Sequence, residues 1–445
     1  MQKLKRSTLF SYSLTDMPVM MSIFPVAVFI PRFYASEMAV PLDVIATIMF
    51  VQRWFDVITD PLMGYLSDHT RTRWGSRKPW IVLSAPILML SIYQLFLPPE
   101  GAGSWHLFIW MMTLSVGITM MLIPYYAWGA ELTSDYHERS RVTGWRAQAG
   151  VVGQLSAQLI PAIAGIVFLM EGTDVVLNLV GSAMLLIMPV CVLITVVKTP
   201  QSQVHIESKV PIWQGLKLMA RNSAFLRLIG AFTVAGLGLN ITMPLYAFFI
   251  AFVLAAEGNE IYMLTFFYTA NLLSVPVWVY LGGVLGKHKA YLTSLVCIAC
   301  AHPFYMLLGE GDFWWMLPIT IFTGFSAGGF SQALPNSMKA DVIDVDHLEG
   351  GEPRPAQFFA AWSFAMKAAA AFGGAIALWA LHAIGFDAVT PANNGEAELF
   401  GLSFLFATFP SIFFLTAAAI AWKYPITEAR HREVRQALER VSQQA

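Results

Sequence analysis

Apolar residues run along this chain in long blocks, not in the alternating or half-faced patterns of water-soluble strands and helices. A bilayer is crossed by a helix of about twenty apolar residues. Blocks of that length lie near 10–34, 42–67, 80–98, 105–131, 147–170, 175–197, 224–255, 261–285, 290–309, 313–338, 357–385 and 399–423. Lys423 closes the last, and a charged tail runs from Ala429 to Ala445. Twelve spans place both termini on one side.

The polar breaks say which side. Lys3, Lys5 and Arg6 precede the first span, and Arg71, Arg73, Arg77 and Lys78 follow the second. Arg139, Arg141 and Arg146 follow the fourth; Lys198, Lys209, Lys217, Arg221 and Arg227 populate the central break. Lys287, Lys289, Lys339, Arg354 and the tail's Arg430, Arg432, Arg435 and Arg440 continue the series. The opposite loops carry mainly acids: Glu37, Glu100, Glu171, Asp174, Glu257, Glu260, Glu310, Asp312 and Asp387. Basic loops stay in the cytoplasm, so both termini are expected there. Arg32, Arg53 and Lys367 stand outside the pattern.

Composition removes the soluble classes. The 445 residues are 57% hydrophobic and 12% charged, against about 25% charged in ordinary soluble domains. A formal net charge of −1 offers no field for nucleic acid. Cys191, Cys297 and Cys300 lie in apolar runs, where thiols pack as small hydrophobes. The basic start MQKLKRSTLF leads into a run long enough to span, with no small-residue cleavage site, so an uncleaved start-transfer helix is expected.

The longest polar break, Lys198 to Asn222, divides the chain into two six-span halves. The expected organisation is 1–198 and 223–424 for the halves, 199–222 for a cytoplasmic loop and 425–445 for a cytoplasmic tail. A weak repeat supports it. Gly64-Tyr65-Leu66-Ser67-Asp68 with Arg71 to Lys78 leaves span two, and Gly282-Gly283-Val284-Leu285-Gly286-Lys287-His288-Lys289 leaves span eight. Parallel six-span halves are the pattern of major facilitator transporters, and two independent basic loops are the plainer explanation. Pro18, Pro25, Pro61, Pro124, Pro161 and Pro276 are expected to kink spans. Glycines such as Gly64, Gly117, Gly144, Gly150 and Gly153 let helices approach closely or flex. The expected fold is all-α, with twelve transmembrane helices in two halves.

Ionisable groups inside spans cost about 2.5–3.5 kcal/mol each at a helix centre on insertion scales, which makes function the default reading. Asp56 and Asp60, at i and i+4, project from one helical face, and Arg53 lies one turn earlier. Bare, the two carboxylates repel; a sodium ion or a proton relieves them, and Thr59 offers a further oxygen. Arg53 neutralising Asp56 as a fixed ion pair is the alternative. Lys367, deep in span eleven, needs an anion, either Asp56 and Asp60 or a local water-filled crevice. Asp16 can accept from substrate hydroxyls or cap the kink before Pro18. Asp68 with Arg71, Arg77 and Lys78, led by Gly64, is expected to form a gating charge cluster. There is no phosphate-binding G-x-x-x-x-G-K-[ST], no H-E-x-x-H and no G-x-S-x-G. Asp341, Asp344 and Asp346 lack EF-hand spacing and are read as a helix end facing basic loops.

Four segments carry a resemblance. Phe55-Asp56-Val57-Ile58-Thr59-Asp60-Pro61-Leu62-Met63-Gly64 continues through Ser67-Asp68, Arg71 to Gly75 and Arg77-Lys78-Pro79-Trp80. The others are Ile123-Pro124-Tyr125-Tyr126-Ala127 with Glu131 to Tyr136 and Glu138-Arg139; Ala340-Asp341-Val342-Ile343-Asp344; and Trp362-Ser363-Phe364 leading to Lys367. Together they resemble the glycoside–pentoside–hexuronide:cation symporters of the major facilitator superfamily, which include melibiose permease and animal sodium-dependent lysophospholipid transporters. The resemblance implies cation ligands at Asp56, Asp60 and Thr119, with Thr59 where melibiose permease has asparagine. It implies coupling at Lys367 with Ser363 one turn before it, and a sugar-side arginine at Arg146. The sugar side departs: Leu122 replaces an aspartate, Tyr126 a tryptophan, and Asp16 lies about a turn from the span-one aspartate.

The expected function is therefore cation-coupled symport, by sodium or protons, of a small organic solute, a sugar or glycoside first. Alternating access would proceed by rocking of the two halves. The chain is expected in a bacterial inner membrane as a monomer, with the bilayer and a small-molecule substrate as partners, no nucleic acid and no cofactor beyond the coupling ion. Two rivals remain: a lysolipid as cargo, suggested by Leu122, Phe55, Phe266 and Phe267, and a channel or membrane enzyme.

Overall fold

A computed structural model describes residues 4–133, 136–168, 172–201, 222–350, 355–426, 433–434 and 437. Most of the 199–222 loop and of the tail lies outside them. So do Lys3, Ser134, Asp135, Glu171, Lys209, Lys217, Arg221, Arg354, Arg430, Arg432, Arg435 and Arg440, and the side chain of Arg139.

The described residues form helices joined by loops, with no strand among them. The helices are α1 (Arg6–Ser13), α2 (Asp16–Ser36), α3 (Leu42–His69), α4 (Lys78–Phe96), α5 (Ser104–Glu131), α6 (Tyr136–Phe168) and α7 (Thr173–Lys198). Then follow α8 (Ser223–Phe248), α9 (Glu260–Leu285), α10 (Lys287–Ala301), α11 (Met316–Gly328), α12 (Leu334–Gly350), α13 (Pro355–Ala383), α14 (Glu396–Ser403) and α15 (Phe409–Ala421). π-turns at Phe249–Val253, Gly329–Ala333 and Phe404–Thr408 extend α8 and join α11 to α12 and α14 to α15. Among the described residues ten stretches are long and apolar enough to cross a membrane. The other two long stretches are α3, which carries Arg53, Asp56 and Asp60, and α11–α12, which ends in charges.

Two helices outrun their apolar blocks. The apolar pattern starts span five near 147, yet α6 begins at Tyr136, and α12 continues to Gly350 past the expected end at 338. Polar residues such as Glu138 and Arg141 keep the helical backbone beyond the apolar slab, so hydropathy misses them. Span one is broken at Leu14–Thr15. Pro18 falls in the first turn of α2, where its missing N–H would have had no intrahelical partner.

The chain forms two compact units. Unit one comprises Met1–Ser208, Glu257–Thr265 and Gly385–Asn394; unit two comprises Lys209–Ala256, Phe266–Ile384 and Gly395–Ala445. In unit one α4 packs on α5 and α7, α2 on α6 and α7, and α3 on α5. In unit two α8 packs on α13 and α15 around Phe225, Phe330, Phe358 and Phe414. Outward faces are apolar: Ile58, Leu186, Val197 and Trp315 are each about 70% exposed, at 69%, 74%, 69% and 73%. Such faces are tolerable in lipid and are an aggregation liability in water.

Glycine permits the close contacts. A Cβ on Gly153 of α6 would overlap the Met17 carbonyl oxygen of α2, and one on Gly150 would meet the Asp16 carboxylate at 3.1 Å. Gly144 of the same helix faces open space, so of its two expected uses close approach is not the one it serves.

Candidate functional site

The paired carboxylates of α3 face α5. Ser115 and Thr119 are also i and i+4, so the two helices present matching rungs. The Ser115 hydroxyl donates to Oδ1 of Asp56, and Thr119 Oγ1 donates to Oδ1 of Asp60 at 3.0 Å. Asp56, Ser115 and Thr119 are buried and Asp60 is half-buried. Arg53 Nη1 lies 3.6 Å from Oδ2 of Asp56, within ion-pair range. Thr59 donates backward to the Phe55 and Asp56 carbonyls at 3.1 and 3.4 Å, so its hydrogen serves its own helix. Every potential ligand here is a hard oxygen, the donor type alkali and alkaline-earth cations prefer. Among the described residues no group of three or more His, Cys, Asp or Glu side chains gathers to hold a metal; this site is two carboxylates and two hydroxyls.

A second polar cluster joins α2, α5 and α6. Asp16, at the first position of α2, is buried and accepts from the Tyr126 hydroxyl at 3.3 Å. Arg146 Nη1 stands 4.0 Å from the same Oδ1, and its guanidinium lies 3.8 Å from the Tyr126 ring centre. Stacking on a ring holds a guanidinium flat and aimed. Two tyrosines brace this cluster from α1 and α5. Tyr12 and Tyr125 stack at 4.6 Å and donate reciprocally to each other's carbonyls, at 2.9 and 2.6 Å. A Cβ on Gly129 would strike the Tyr12 ring. Acceptor, phenol and guanidinium thus converge on one point.

At the end of α3, Arg77 is the hub. It binds Asp68 at 2.5 Å, Glu131 at 2.5 Å and Ser67 Oγ at 2.7 Å, and Ser67 donates to the Gly64 carbonyl. Burial works against the guanidinium charge, but the Glu131 and Asp68 carboxylates outweigh it and raise its pKa above the ordinary value. Lys78 points elsewhere, donating to the Val196 and Thr199 carbonyls at 2.7 and 2.8 Å. Arg71 is exposed and outside this network. The structure therefore joins Gly64, Asp68 and Arg77 and sets Arg71 and Lys78 apart.

In unit two, Trp362 of α13 is buried against Phe232 at 4.2 Å, with the Lys339 ammonium 4.8 Å from its ring centre. Ser363 is exposed and Lys367, one turn on, half-buried. Lys287 of α10 holds Asp341 of α12 through both carboxylate oxygens at 2.7 Å.

Sequence reasoning passed over three partners. Ser115 gave no signal, because a serine in an apolar helix commonly bonds its own backbone. Glu131 stood in a quoted motif without a role. Arg32 stood out only as an exception; it is buried against Glu260 and bonds Glu257 at 2.5 Å and Thr173 at 2.9 Å.

The family model for MFS/sugar transport proteins matches residues 11–428. The chain belongs to that family. It is a multi-pass membrane transporter with an all-helical major facilitator fold, and not an enzyme. The sodium-dependent lysophosphatidylcholine symporter 1 of Mus musculus is 25% identical, over 89% of this chain and 81% of that protein. The glucuronide carrier protein homolog of Escherichia coli is 23% identical over 97% and 95%. The isoprimeverose transporter of Lactiplantibacillus pentosus is 24% identical over 85% and 80%. The solved structure of a bacterial homolog of the human lysosomal transporter Spinster shares the fold, with a TM-score of 0.66 at 12% identity over 97% of each chain.

Proposed function

We propose that this transporter couples the downhill movement of sodium or protons to symport of a small organic solute, a sugar or glycoside first. The observation that carries the reading is the double rung of α3 and α5, two carboxylates one turn apart, each met by a hydroxyl. A sodium ion would take oxygens from Asp56, Asp60, Ser115 and Thr119; a proton on one carboxylate would relieve the same repulsion. Arg53 tempers the charge of Asp56. Thr59 contributes through its lone pairs only, since its hydrogen is spent on the helix. Asp16 would accept from solute hydroxyls while Arg146 donates, and Tyr126, whose hydrogen goes to Asp16, offers its oxygen as an acceptor. On α13, Trp362 and Ser363 supply an aromatic face and a hydroxyl, and Lys367 is the coupling cation. Gly64, Asp68 and Arg77 form the gate.

The basic loops support a bacterial inner membrane location with both termini cytoplasmic. The division at 199–222 and a monomeric state belong to the same proposal. The test is uptake into vesicles under imposed sodium or proton gradients. Asp56→Asn and Asp60→Asn should each abolish accumulation while solute exchange continues. Accumulation by both variants under the same gradient would make these aspartates structural.

A second cargo has its own support. Leu122 stands where the melibiose permease pattern has an aspartate, and the mouse relative is a lysophosphatidylcholine symporter. Radiolabelled sugar against lysophosphatidylcholine in the same vesicles separates the two.

A further inference from the structure

A groove of about 540 Å³ opens between α4 and α7, outside both polar clusters. Its walls are apolar, formed by Val82, Pro86, Met89, Leu193 and Val197. Val82, Leu193 and Val197 are exposed, so the groove faces whatever surrounds the helices. At its polar end stand Trp74, Lys78 and Gln201.

Lys78 is positioned but not neutralised. Its ammonium uses two of three N–H donors on the Val196 and Thr199 carbonyls and lies 5.2 Å from the Trp128 ring centre. Among the described residues no carboxylate pairs with it. The same holds for Arg71 and Arg73 on the exposed loop beside it, whereas Arg77 takes Asp68 and Glu131 for itself. Gln201 Nε2 donates to the Arg73 carbonyl at 3.2 Å and ties that loop to the groove's rim. Trp74, 59% exposed, is the kind of amphipathic ring that sits at headgroup level. An apolar trough running along two spans, closed by fixed positive charge at one end, complements a molecule with a fatty chain and an anionic head. We propose that this groove binds one anionic phospholipid, its acyl chain along α4 and α7 and its phosphate at the remaining N–H of Lys78.

The test uses the purified full-length protein and native mass spectrometry, with phosphatidylglycerol and phosphatidylcholine of identical chains offered together. Wild type should retain phosphatidylglycerol several-fold over phosphatidylcholine. One lysine near an anionic headgroup contributes about a fivefold preference, so Lys78→Gln should lose roughly that much, and Lys78→Arg should keep it. Leu193→Trp, which fills the trough, should lower retention of both lipids. Excess inorganic phosphate should leave the lipid bound. Equal retention of the two lipids by wild type, an unchanged preference in Lys78→Gln, or displacement by phosphate would overturn the proposal. Should Lys78→Gln not fold, Leu193→Trp decides alone: retention like wild type refutes a lipid in this groove.

Discussion

Thr119 donates its hydroxyl to Oδ1 of Asp60 at 3.0 Å, one helical turn from the rung that Ser115 makes to Asp56. The two hydroxyls fix which oxygens of the carboxylates turn away from α5. Hydrogen bonds to charged groups contribute about 1.5–3 kcal/mol each, so Ser115→Ala or Thr119→Ala should weaken sodium stimulation of uptake about tenfold or more. Thr119→Ser should restore most of it. Half-saturation measured over a sodium titration checks this, and unchanged values in both alanine variants would remove the hydroxyls from the ion site.

The Arg77 hub predicts an unequal pair. Glu131 is buried and Asp68 has a side chain 58% exposed. Removing the buried partner leaves the buried guanidinium with only the exposed Asp68 carboxylate, so Glu131→Gln should destabilise by about 3 kcal/mol. Asp68→Asn should cost at most about 1 kcal/mol and act mainly on turnover. Thermal unfolding beside uptake rates separates the effects. A large affinity loss with normal turnover in Asp68→Asn would argue against a gate.

The glycines of α6 make an internal control. Gly153→Ala forces α6 from the Met17 carbonyl and should cost about 1–3 kcal/mol. Gly144→Ala meets nothing within 4 Å and should stabilise by about 0.5–1 kcal/mol. Equal melting temperatures for the two would contradict the close packing of α2 on α6.

The loop at 385–394 should respond to acid. Asp387 accepts from the backbone of Thr390, from the Asn393 side chain and from the backbone of Val389, at 3.0, 2.6 and 2.9 Å. These bonds, Thr390 first, hold its carboxyl below the ordinary value. A depressed folded-state pKa contributes order above the unfolded value of about 3.9, lost as pH falls through the lower folded value. Amide exchange at Val389 and Thr390, corrected for intrinsic rate, should therefore be flat from neutral pH to about 5 and speed up below about 4. In Asp387→Asn the acid-dependent part should vanish.

What the sequence made legible follows the cost of each residue in lipid. Asp56, Asp60 and Asp16 announce themselves because a carboxylate in an apolar run demands a reason. Arg146 and Tyr126 became visible only through a family pattern, and the structure brings them to Asp16. Ser115 is invisible by the same logic, since a hydroxyl can satisfy itself on the preceding turn, as Thr59 does. Lys78 shows the opposite failure. Its place in a basic run suggests Asp68 as partner, but α7 ends beside it and its terminal carbonyls claim the ammonium. Apolar blocks located the spans, and missed the polar helix from Tyr136 and the break at Leu14–Thr15, where hydropathy has no say.

Arg32 sets a timetable for the ribosome. It enters the membrane with the first span, but its partner Glu260 lies 228 residues later. Buried without a carboxylate, a guanidinium is an uncompensated charge, and until Glu257 and Glu260 emerge Arg32 has only the Thr173 hydroxyl among these three partners. The first unit cannot be completed until synthesis has passed well into the second half of the chain. A fragment ending at Ser208 should therefore be cleared by quality-control proteases. Supplying residues 209–445 as a separate polypeptide should rescue it, and Glu260→Gln in that second piece should undo the rescue.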